Sequence, residues 1–61
     1  MIVERLHRAR HRDLIRQHKR AETEFQRYSR LYEQKAAAAT DVDNWRFQRD
    51  SARAAIMAAQ A

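Results

Sequence analysis

Cysteine, glycine and proline are all missing from this 61-residue chain, and aromatic residues are few: two Phe, two Tyr and one Trp. Without cysteine there is no disulfide framework and no thiolate metal site. A sheet protein of this size needs tight turns at positive φ, which glycine normally supplies. Its absence, with that of proline, predicts an all-α chain. No run of 18 apolar residues is present to span a membrane, and the N-terminal stretch MIVERLHRAR carries charge where a signal peptide needs an apolar core. The expectation is a soluble, cytoplasmic protein, with a virion as the other location.

Large apolar residues are scarce too. Of the 27 hydrophobic residues 12 are alanine, and Leu, Ile, Val and Phe together number 10 of 61, below the roughly 20% at which a charged chain begins to resemble a disordered one. A lone chain of this length buries only about 60% of its unfolded surface. A partner is therefore expected, either another copy or a different molecule.

What the chain does have is positive charge, unevenly placed. The formal net charge is +5. Residues 1 to 20 hold Arg5, Arg8, Arg10, Arg12, Arg16, Lys19 and Arg20 against Glu4 and Asp13, whereas the six basic and six acidic residues of 21 to 61 cancel. At about 100° per residue, His7, His11, Leu14, His18, Ala21, Phe25, Tyr28 and Tyr32 fall on one stripe in alternating steps of four and three. That is a heptad seam with poor occupants. Roughly opposite it run Arg5, Arg8, Arg12, Arg16, Lys19 and Arg20, a basic ridge about 22 Å long, extended by Arg27 and Arg30.

The apolar phase changes near residue 40. Thr40 with Asp43 three residues later fits the start of a new helix, and further acids suit its positive dipole end. Beyond it, Val42, Trp45, Ala52, Ile56 and Ala59 line one face, while Phe47, Ala54, Ala58 and Ala61 line roughly the opposite one. The predicted fold is a two-helix antiparallel hairpin, about 2–38 and 41–60, forming a single domain over 1–61. A single bent helix is the alternative, since no glycine caps the first helix. In the hairpin, helix 2 covers only residues 20 to 38, so that 1–20 protrudes as a basic arm and 21–61 forms a charge-neutral core. Two apolar faces on helix 2 predict assembly as a dimeric four-helix bundle or docking in a larger complex.

Arginine outnumbers lysine 11 to 2, and guanidinium pairs bidentately with phosphate. The ridge therefore predicts nucleic-acid binding through Arg5, Arg8, Arg12, Arg16, Lys19, Arg20, Arg27 and Arg30, with DNA and RNA left open. It holds no Asn or Gln to read adenine, which predicts weak sequence selectivity. The alternative is a structural or adaptor subunit of a virion or other assembly, docking the same helix on an acidic protein. The interface residues expected are Leu6, Leu14, Ile15, Phe25, Tyr28, Tyr32, Trp45, Phe47 and Ile56. His7 and His11 sit four apart, as two metal ligands on a helix would, but the arginines around them disfavour a dication, so neither metal nor cofactor is expected. Acidification to about pH 5.5 would charge the seam histidines and loosen an interface.

The leucine repeat of basic leucine zippers and the glycine-bearing turn of a helix-turn-helix are both missing. No phosphate loop, nucleophile with its base, or paired-carboxylate pocket is present, which predicts a non-enzyme. Membrane binding is not expected, because the face opposite the arginines offers no aromatic in the first 24 residues. Small size and richness in Arg and Ala suit an accessory protein of a phage or mobile element.

Overall fold

The computed structural model describes residues 2 to 60, with side chains from 3 to 60. Two helices make up the described chain, α1 (Ile2–Glu33, 32 residues) and α2 (Ala39–Gln60, 22 residues), packed against each other as a hairpin. The all-α expectation holds. Ala61, expected on the second apolar face of the later helix, lies outside the described residues.

Both helix boundaries at the turn differ from those expected. The alanines after Lys35 favour helix by propensity, yet α1 stops at Glu33. Lys35 takes φ 60° and closes a Schellman turn, its N–H donating to the Tyr32 carbonyl at 2.9 Å and the Ala36 N–H to the Leu31 carbonyl at 2.7 Å. Lysine thus occupies the left-handed position that glycine usually fills. The other side of the turn is held by Asp41, whose Oδ2 accepts the Ala38 N–H at 3.2 Å, while the Asp41 and Val42 N–H groups reach back to the Ala38 carbonyl at 3.1 and 3.5 Å. Ala38 is therefore the N-cap and Asp41 the third helical residue, the carboxylate half of a capping box. Thr40 and Asp43, the expected capping pair, lie inside α2; Asp43 pairs instead with Arg46 at 3.8 Å.

The seam between the helices follows heptad spacing on both sides. Ala21, Val42 and Ala52 are buried, and His11, Leu14, His18, Phe25, Tyr28, Trp45, Arg49 and Ile56 are half-buried around them. Tyr28 and Trp45 stack with ring centroids 6.3 Å apart and planes 21° from parallel. Small residues at the centre let the helices approach closely, and the aromatic pair fills the space nearer the turn.

Because α2 starts earlier and has 22 residues, it spans about 33 Å. It runs back along α1 until Ala59 and Gln60 share a groove with His7, Arg8, His11 and Arg12. The expected cover over residues 20 to 38 alone is corrected: only the first turns of α1 extend beyond α2. The result is a rod of 51 × 16 × 12 Å with a radius of gyration of 14.5 Å, where a compact chain of 61 residues would have about 10.5 Å.

Candidate nucleic-acid interface

The seam turns one side of α1 toward α2 and leaves the other to solvent. Arg5, Arg8, Arg12, Arg16, Lys19, Arg20, Arg27 and Arg30 are all exposed, on a helix that α2 supports from behind over most of its length. From Arg5 to Arg30 the row extends about 37 Å.

The row divides electrostatically into two parts. Arg27 lies 3.8 Å from Glu24, and the Arg30 Nε donates to the Gln26 carbonyl at 3.4 Å. Among the described residues, Arg5, Arg8, Arg12, Arg16, Lys19 and Arg20 make no ion pair with any carboxylate. Their donors face water, free to meet an anionic partner. Neighbours of like charge, at steps of three or four, repel along the helix, so a polyanion laid along this row relieves strain that is already present.

The expected interface residues are divided between the hairpin seam and the outer surface. Leu14, Phe25, Tyr28, Trp45 and Ile56 belong to the seam, with Ile15 half-buried beside it. Leu6 (66%), Tyr32 (51%) and Phe47 (71%) stay largely exposed, as do Val3 and Met57. An open groove of about 500 Å³ follows one side of the hairpin, between Leu14, Gln17 and Ala21 of α1 and Phe47, Ser51 and Ala55 of α2.

Arg49 was not among the expected functional or interface residues. It occupies the seam position between Trp45 and Ala52, its side chain only 19% exposed. Its guanidinium carbon lies 4.4 Å from the Phe25 ring centroid, with Nε 3.6 Å from Glu22 and Nη2 3.0 Å from Asp50. Arg46 approaches the same ring from outside at 5.5 Å. The signal in the sequence is the heptad gap itself: 42, 45, 52, 56 and 59 leave position 49 open, and a seam position filled by arginine needs a ring and a carboxylate to receive it. A second feature of the seam is His18, whose Nε2 is buried without a hydrogen-bond partner.

Among the described residues, no three His, Asp or Glu side chains gather as a metal site would need, and no helix is long and apolar enough to cross a membrane. No protein family, curated protein or solved structure matches this chain.

Proposed function

We propose that this chain is a small non-enzymatic accessory protein that binds nucleic acid through the arginine face of α1, in a regulatory role. The observation that carries the reading is the run from Arg5 to Arg20: six exposed cations in line on one face, with no acidic partner among the described residues. Phosphate is the partner chemistry that such a row of guanidinium forks suits best. The hairpin acts within an assembly, a dimeric four-helix bundle or a larger complex, because two helices with so little core leave apolar surface uncovered.

A second reading, docking of α1 on an acidic protein within a virion or other assembly, draws on the exposed Val3 and Leu6 at the uncovered end of that helix. Fluorescence anisotropy with labelled duplex DNA, single-stranded DNA and structured RNA separates the two. Nucleic-acid binding should be micromolar or tighter at about 50 mM salt, fall at least tenfold by 200 mM, and weaken in Arg12→Ala/Arg16→Ala. Absence of binding to all three probes at low salt would reject the nucleic-acid reading and favour the protein partner.

A further inference from the structure

Helix α2 carries two heptad seams, and α1 covers one of them. Positions 42, 45, 49, 52, 56 and 59 face α1. Positions 44, 47, 51, 54 and 58 repeat with the same alternating steps of three and four, about 150° away. All five of these residues are exposed, Phe47 at 71%, and Asn44, Phe47, Ser51, Ala54 and Ala58 include no charge. A solvated helix face in a chain so rich in charge would normally be charged. Beside this stripe opens the groove of about 500 Å³ lined by Leu14, Ala21, Ser51 and Ala55, whose lining includes one charged residue, Arg20.

We infer that this face of α2 is the docking surface for a second copy of the same chain, joined antiparallel about a two-fold axis near Ser51. This deepens the assembly part of the proposed function and does not depend on nucleic acid. Self-association is favoured by three observations. First, the chain exposes 5291 Å² at a mass of 7.3 kDa, about 1,100 Å² more than a compact monomer of that mass. A stable interface removes about 800 Å² from each partner, which this excess can supply. Second, each chain carries a net charge of +5, so self-association meets least repulsion at an uncharged face, and the stripe supplies one. Third, the stripe is self-complementary. Asn44 and Ala58 lie seven residues either side of Ser51, and a two-fold axis there brings Phe47 opposite the stripe's Ala54 and the groove's Ala55 of an antiparallel copy, so each large ring meets the other chain's alanines, in the manner of a knob and its hole. Arg5, Arg8, Arg12, Arg16 and Lys19 do not line this groove and stay uncovered in both copies, whereas Arg20 borders it.

The absence of native cysteine makes the test direct. Sedimentation equilibrium of the intact chain without nucleic acid should give a dimer at tens of micromolar. Ser51→Cys should form a disulfide-linked dimer under mild oxidation, whereas Met57→Cys, exposed on another side of α2, should cross-link at least tenfold more slowly. Phe47→Ala should weaken the dimer by about tenfold or more, as for an interface anchor, with its helical circular dichroism retained. A monomer at 100 μM, or equal cross-linking at 51 and 57, would overturn the inference. Anisotropy with Phe47→Ala reads nucleic-acid binding separately, so failure of the dimer and failure of the arginine row are distinguished.

Discussion

Lys35 is the residue at which this fold works against local preference. An L-amino acid at φ 60° pays for crowding of its Cβ against the backbone, and the turn accepts this because two hydrogen bonds close across it. Lys35→Gly should remove that crowding, at the expense of a more flexible unfolded chain, for a net gain of about 0.5–1 kcal/mol. Urea denaturation followed at 222 nm should show the midpoint rise; a fall would mean that the lysine side chain contributes something the backbone geometry does not explain. The N-cap of α2 has a similar defect. Ala38 has no side-chain acceptor for the free N–H groups above it, and Asp41 supplies only the reciprocal half of the box. Ala38→Ser completes it and should add about 1 kcal/mol, measured in the same way. Neither defect is visible in a scan for glycine and for Ser/Thr caps, which explains why Thr40 reads as the cap and the alanine run as helix.

At the level of the helices, heptad spacing makes the seam legible before any coordinates. Leu14, Ala21, Phe25, Tyr28, Val42, Trp45, Ala52 and Ile56 meet as their phase requires, and the division of helix 2 into two apolar faces is equally plain in the residues. The extent of overlap is less legible, because moving the turn forward sends α2 back over residues that seemed unpartnered. Arg49 and Glu22 escape notice for a related reason: a charged residue at a seam position reads as an exception until the ring beneath it is known. The arginine row, set by spacing alone, lies on the exposed face its phase indicates. His18 is the weak point of the seam. Its unpartnered Nε2 has lost water without gaining a bond, so His18→Leu should stabilise the hairpin by about 1 kcal/mol or more. Thermal unfolding of the two proteins at neutral pH decides this; a destabilised variant would show that the imidazole has a partner in solution.

For the whole molecule, salt should act in opposite directions on the fold and on its proposed partner. The arginine row places like charges four residues apart at Arg8–Arg12, Arg12–Arg16 and Arg16–Arg20, with no carboxylate paired to them among the described residues. Such pairs weaken a helix, and their repulsion reaches about 30 Å at 0.01 M salt but only about 8 Å at 0.15 M. Among the described residues the ion pairs that oppose this repulsion are few; Arg49–Glu22, the one of them spanning the two helices, is partly sheltered and therefore less screened. Repulsion should dominate the balance. Raising salt from 0.01 to 0.15 M should therefore lift the unfolding temperature of the free protein by roughly 2–4 °C, with a gain in helical signal from the N-terminal turns of α1. Over the same range nucleic-acid affinity should fall, since each neutralised phosphate releases counterions whose dilution favours binding. Arg12→Ala/Arg16→Ala removes two members of the row and should flatten both responses together. If the unfolding temperature instead falls with salt, attraction between the helices outweighs repulsion along α1, and the row is not the strained, anion-seeking surface inferred from its spacing.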